Sequence, residues 1–306
     1  MLAELDRRYR RFVQELPSPL QTLASDRSLI TGEEPATSLQ SVASLGFSVI
    51  FPCLFKAGFP GLSAQKQMHI GEAWFFLLLA LLLRDHIADN QVPKSQDVLL
   101  LQQRFMMQAR QVFYLCVGEA TDFWTYFDNL NQQVIAALHQ EAYHRRTPTA
   151  PYDQTNAWEI GVGKLALYKA VPWVMAANTG RWKDLTALET SLDALAAGRQ
   201  LFDDVGDWQE DLLRGHYTYP LAQAMAHLST AEAISSEMIA AVMLRSTIRE
   251  DALRQATIWH KQALAAVENI PVQGWKELVN GSMNECIAYH RWLVLTRLGQ
   301  QIKEKA

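Results

Sequence analysis

Apolar residues recur at three- and four-residue spacing along most of the chain, over about 2–15, 37–56, 64–90, 95–117, 120–145, 152–178, 184–214, 217–227, 231–243, 246–268 and 272–300. That period is the mark of amphipathic helices, and no stretch alternates as a half-buried strand does. The gaps carry helix-ending residues: Pro17 and Pro19, Gly58 to Gly61, Pro93, Pro148 and Pro151, Gly180, Gly215, Pro220 and Pro271. The pattern predicts an all-α protein. With no internal repeat and no composition shift to mark a linker, residues 1–306 read as a single domain, a helical bundle.

Two runs stand out. Trp74 to Leu83 is ten consecutive apolar residues ending at Arg84-Asp85, too short to cross a bilayer. A helix apolar all round lies in the protein interior, so it delivers the residues at its end to a buried place. The second run, Lys164 to Val174, contains Pro172, which removes a backbone donor and kinks or breaks a helix. Two readings stay open there: a tolerated kink in a buried helix, or a broken helix lining a pocket.

The end of the first run is acidic. Asp85 and Asp89 stand four apart, and downstream Asp203, Asp207 and Asp211 repeat that spacing, with Asp204 added. On a helix this stacks like charges on one face, which costs stability. A solvated face is the ordinary explanation. Burial argues against it, because both clusters follow apolar stretches and unpaired buried carboxylates cost several kcal/mol or take up protons. Divalent cations held through oxygen ligands, with a polyanionic substrate completing the shell, remove that penalty.

Composition narrows the partners. Apolar residues make up 49% and charged residues 20%, ordinary for a globular protein. A net charge of −4 supplies no basic face for nucleic acid, so small molecules are the expected partners. Cys53, Cys116 and Cys286 are odd in number and share no Cys-x-x-Cys spacing. Reduced thiols in a cytoplasmic protein are the simplest reading. The first residues, Met1 to Arg11, form a basic amphipathic helix without the apolar core of a signal peptide.

The stretch Gln200-Leu201-Phe202-Asp203-Asp204-Val205-Gly206-Asp207 resembles the second aspartate-rich motif of trans-prenyl diphosphate synthases, in which Gln is followed at the third, fourth and seventh positions by Asp. Its continuation through Asp211, Gly215, Tyr219 and Pro220 is similar to the phytoene and squalene synthase branch. Asp85 and Asp89 stand where the first motif belongs. The resemblance is to the class I isoprenoid synthase superfamily, which also holds class I terpene cyclases. It is specific over 85–90 and 200–220 and looser over 158–173.

The resemblance implies a bundle around a central cavity, with three Mg²⁺ between facing acidic motifs and a prenyl diphosphate as substrate. Asp85, Asp89, Asp203 and Asp207 would be the catalytic metal ligands, joined by Asp204 and Asp211. Lys164 matches a family position where a Lys approaches the diphosphate; Lys169, Arg199, Arg214 and the Arg145-Arg146 pair are further candidates. Gln200, Tyr168, Tyr217, Trp158 and Phe76 complete the expected substrate contacts. Family precedent also leaves a homodimer open.

Departures from the family bear on the reaction. Chain-elongating members usually have a Gly-Lys-x-x-Arg element and an Arg pair after the first motif. Here the first motif has His86 in place of a second Asp and continues Asn90-Gln91-Val92-Pro93-Lys94-Ser95. The expected function is therefore a class I terpene synthase that ionises and cyclises one prenyl diphosphate. The alternative is a prenyltransferase, by chain elongation or head-to-head coupling. A catalytically silent helical scaffold is the third reading.

Overall fold

The computed structural model describes residues 2–26, 29, 42–88, 91–92, 94–147, 151–228 and 234–305, without the side chains of 42–48, 146 and 300–305. Among them every regular element is helical. The elements are α1 (Leu2–Glu15), α2 (Ser18–Ala24), a segment of 3₁₀ turns (Val42–Gly58), α3 (Ala64–Ala88), α4 (Gln96–Val117) and α5 (Thr121–Arg146). Next come α6 (Gln154–Lys164), α7 (Ala170–Thr179), α8 (Leu185–Gly206), α9 (Trp208–Arg214), α10 (Tyr219–Ala226), α11 (Ser236–Arg245), α12 (Ile248–Ala266) and α13 (Gln273–Lys305). Contacts divide the chain into two compact units: 1–124 with 170–183 and 272–274, and 125–169 with 184–271 and 275–306.

The first unit is built on α3. Every residue from Ile70 to Ala80 is buried, as a helix apolar all round requires. One of them is Glu72, which ion-pairs with Arg8 of α1 and so is not left as an uncompensated buried charge. Around α3 the rings of Tyr9, Phe12, Phe75, Phe76 and Phe105 interlock at centroid separations from 4.8 to 6.5 Å. The Ser95 hydroxyl caps the start of α4, and Lys66 Nζ closes its far end by donating to the carbonyls of Leu115 and Cys116 at 2.8 and 3.0 Å.

The second unit packs α8 between α6 and α12. The approach to α6 is possible because Gly161 has no side chain: a Cβ there would lie 2.8 Å from Ala197 Cα. On the other flank Gly198 leaves room for the His260 ring, 2.6 Å from where its own Cβ would stand. Small residues thus let helix axes come close and bury Ile160, Leu201, Leu253 and Trp259 in one cluster. Trp275 Nε1 donates to Ser191 Oγ, and that hydroxyl donates to the Ala263 carbonyl, so a buried polar chain links α13, α8 and α12 with its donors satisfied.

Three predicted helices differ from expectation. Residues 152–178 form α6, a 3₁₀ turn over Ala166–Lys169 and α7, with Pro172 in the first turn of α7, where no intrahelical donor is required. Residues 184–214 bend at Asp207, separating α8 from α9, although Asp207 N still donates to Asp203 O and Asp211 N to Asp207 O. Within 37–56 the described backbone takes 3₁₀ turns, with Pro52 inside them.

Gly161→Ala is expected to destabilise the protein by about 1–3 kcal/mol, because the new methyl meets backbone that cannot step aside. Urea unfolding followed by far-UV circular dichroism measures it; an unchanged midpoint would show that α6 and α8 have slack.

Candidate functional site

In the first unit, Asp85 occupies the last turn of α3 and is partly buried beside Arg84. Burial lowers the Arg84 guanidinium below its ordinary value, and attraction to Asp85 works the other way. Asp89 lies outside the described residues. His86 does not share the face of Asp85: it is buried, with Nδ1 3.2 Å from the Leu29 carbonyl. Phe76 is closed inside the aromatic core, 4.8 Å from Phe12 and 5.5 Å from Phe75.

The second unit holds the other candidates, and they divide into three groups. Asp203 and Asp207 are exposed at the end of α8. Asp204, one residue along, points inward, is 5% exposed and accepts a hydrogen bond from Gln200 Nε2 at 2.7 Å. Burial pushes the Asp204 carboxyl up to about 8; the Gln200 bond and Lys164 oppose this, while Asp211 and Glu141 reinforce it. Asp203 is pushed to about 6, first by the protein around it and then by Asp207 and Glu285, against Arg199 and Lys164. Its side chain is 51% exposed, so water screens it far more than it screens Asp204.

A cationic group stands behind these carboxylates. Lys164, the last residue of α6, places Nζ 3.2 Å from Glu141 Oε1, and Arg145 Nη2 lies 3.2 Å from the same oxygen. Glu141, Arg145, Tyr217, Gln200 and Asp204 line one narrow cavity. The third group is Arg199, which bridges Asp203 and Glu285.

The remaining candidates lie apart from these groups or serve visible packing roles. Arg214 forms an i,i+4 pair with Glu210 at 2.5 Å on the surface of α9, just before the left-handed Gly215 that ends the helix. Lys169 is buried against Asp193 at 2.6 Å. Trp158 packs edge-on against Trp259 at 5.3 Å in the core cluster, and Tyr168 is half-buried in the 3₁₀ turn. Asp211 is partly buried, its carboxylate 4.0 Å from His216 Nδ1. Sequence reasoning misses Glu141 and Glu285: each is a lone acid on an amphipathic helix, and only the fold brings it to the motif.

Hard oxygen donors on Asp203 and Asp207 suit a divalent cation such as Mg²⁺. Asp204 is committed to Gln200, and among the described residues no three His, Cys, Asp or Glu side chains converge as a metal-holding group. The donor chemistry fits, and the set needs further ligands from outside this cluster or from a bound anion. Among the described residues no helix is long and apolar enough to cross a membrane.

No protein-family model and no curated protein matches the chain. Solved structures do. A decaprenyl diphosphate synthase from Rhodobacter capsulatus superposes with a TM-score of 0.71 at 16% identity, covering 93% of this chain and 97% of that one. A geranylgeranyl pyrophosphate synthase from Corynebacterium glutamicum gives 0.70 at 16% identity, covering 93% and 91%. A polyprenyl synthase from Caulobacter crescentus, complexed with calcium and isoprenyl diphosphate, gives 0.71 at 16%, covering 93% of each. The chain has the class I isoprenoid synthase fold.

His260 packs against Gly198 of α8, fully buried, with Nδ1 2.6 Å from the Ala256 carbonyl and Nε2 2.8 Å from Ser282 Oγ. Burial holds its pKa below the ordinary 6.5. The folded state therefore binds fewer protons than the unfolded chain near that pH, and stability present above about 6.5 is lost as pH falls through it. Because the raised Asp203 and Asp204 carboxyls act in the opposite sense over the same range, the His260 contribution is read as a difference: between about pH 7.5 and 5.5 the wild-type urea midpoint should fall relative to that of His260→Gln, and a constant difference would assign the effect elsewhere.

Proposed function

We propose that the protein is a prenyltransferase of the prenyl diphosphate synthase type, acting on an allylic prenyl diphosphate. One observation carries this reading: a fold shared over more than nine-tenths of the chain with synthases of prenyl diphosphates, in which α8 ends in the Gln200 to Asp207 motif. The same support favours transfer over the cyclisation that the sequence alone suggests.

In this reading Asp203 and Asp207 would hold divalent cations that carry the diphosphate, and Asp85 and Asp89 of the first motif are read as metal ligands in the same way. A divalent cation held there would supply Lewis-acid stabilisation of the negative charge that develops on the leaving oxygen. Lys164 and Arg145 add fixed positive charge behind it, and Glu141 keeps both in register before substrate arrives. Gln200 fastens Asp204 so that the end of α8 keeps its shape while Asp203 and Asp207 change partners. The allylic cation left by ionisation requires a dry, apolar wall. Attack by the double bond of a second isoprenoid then forms the new carbon–carbon bond, and loss of a proton restores neutrality. A cytoplasmic location belongs to the same proposal, in keeping with three free thiols.

Cyclisation remains the second reading, favoured by one feature: the first motif has His86, turned inward, and no Arg pair comes after it. Incubation with C10, C15 and C20 allylic diphosphates and Mg²⁺ separates the two. Longer prenyl diphosphates formed only when isopentenyl diphosphate is added support chain-elongating transfer; a hexane-extractable terpene with the substrate's own carbon number formed without it supports cyclisation and overturns transfer, while one with twice that carbon number marks head-to-head transfer. Release of no diphosphate under any condition leaves the silent scaffold.

Asp85→Ala and Asp207→Ala should each lower product formation by at least about a hundredfold while the helical circular dichroism is retained. Full activity in both would dismiss the metal assignment.

A further inference from the structure

Arg199 is engaged by two carboxylates unequally. Its Nη1 donates to Glu285 Oε2 at 2.9 Å, whereas its Nη2 stands 3.4 Å from Asp203 Oδ1. The first distance is that of a normal charge-assisted hydrogen bond and the second is long for one. The guanidinium also lies over the Phe202 ring, its carbon 5.3 Å from the centroid, and Phe202 meets Tyr289 edge-on at 6.0 Å. Stacked in this way, the planar fork keeps one orientation and trades distance between two anions. Glu285 comes from α13 and Asp203 from α8, so the fork also ties the two helices at the motif.

A cation at Asp203 competes with the guanidinium for the same oxygens and is repelled by its charge. Whatever holds Arg199 back therefore sets how readily that carboxylate accepts a metal. We propose that Glu285 is a positioning residue which draws Arg199 off Asp203, and that Arg199 serves as the resident counter-ion of Asp203 when no divalent cation is bound. The inference rests on the reading of Asp203 as a metal ligand.

A structural role alone explains the pair poorly. The Arg199 and Glu285 side chains are 39% and 61% exposed, and ion pairs that open to solvent contribute little to folding.

The proposal predicts opposite signs from two neutralising substitutions. Glu285→Gln lets Arg199 settle onto Asp203, so Mn²⁺ binds about two- to fivefold more weakly, the range set by exposed ion pairs. Arg199→Gln removes the competitor, so Mn²⁺ binds tighter by a similar factor. Because Glu285 acts through Arg199, the double variant should match Arg199→Gln alone rather than the sum of the two changes.

The experiment is Mn²⁺ titration followed by electron paramagnetic resonance, on the full chain with inorganic diphosphate present, with far-UV circular dichroism to confirm that each variant is folded. The double-variant result is decisive, since a direct field from Glu285 on the metal would persist without Arg199 and give additive changes. Additive changes, changes of the same sign or no change in the single variants overturn the proposal. Asp203→Asn separates it from its premise: if wild type binds Mn²⁺ and Asp203→Asn binds it equally well, or if wild type binds none, the metal reading at Asp203 fails and the proposal with it.

Discussion

Asp203, Asp204 and Asp207 crowd like charge into little more than one helical turn, and the second unit is arranged around answering that repulsion. The three carboxylates meet it in different ways. Asp204 withdraws from water, takes a hydrogen bond from Gln200 and keeps its proton more readily than an ordinary aspartate. Asp203 stays half in solvent and leans on Arg199. Asp207 stands exposed at the bend between α8 and α9. The sequence shows three equivalent acids, and burial makes them unequal.

The positive charge that balances them is itself balanced. Lys164 and Arg145 share Glu141, and Arg199 shares Glu285, so each of these cations near the motif has a second acid that holds it in place. A site built from paired charges can change partners without leaving any one of them buried and alone, the situation that costs most. This suits the proposed binding and release of a diphosphate. Glu141 and Glu285 are what make the arrangement reversible.

Much of the fold was legible from the apolar pattern, because α4, α8, α12 and α13 are long with buried faces that recur at helical spacing, and α3 is an unbroken apolar run. The second motif was legible for a different reason: its spacing is set by helix geometry and does not depend on distant residues. What sequence hid was whatever needed a partner. The position of Pro172 was visible, yet the break came earlier, through Leu165 to Lys169, because a helix can restart just ahead of a proline. Gly161 and Gly198 looked like ordinary helix weaknesses until their neighbours, Ala197 and His260, were in place. Trp158, expected at the substrate, has Trp259 as a neighbour some hundred residues away, a contact that no local pattern encodes.

The two glycine contacts have a consequence for how such a chain can diverge. On the flanks of α8 that meet α6 and α12, Ala197 and Gly198 leave almost no room for any larger side chain. The remaining face carries Arg199, Asp203 and Asp207, which reach solvent and tolerate replacement sterically. One helix is therefore frozen along two sides and free along the third, so mutation is channelled toward the residues that handle charge. A chain built on this scaffold can exchange its charged side chains more easily than it can repack its helices.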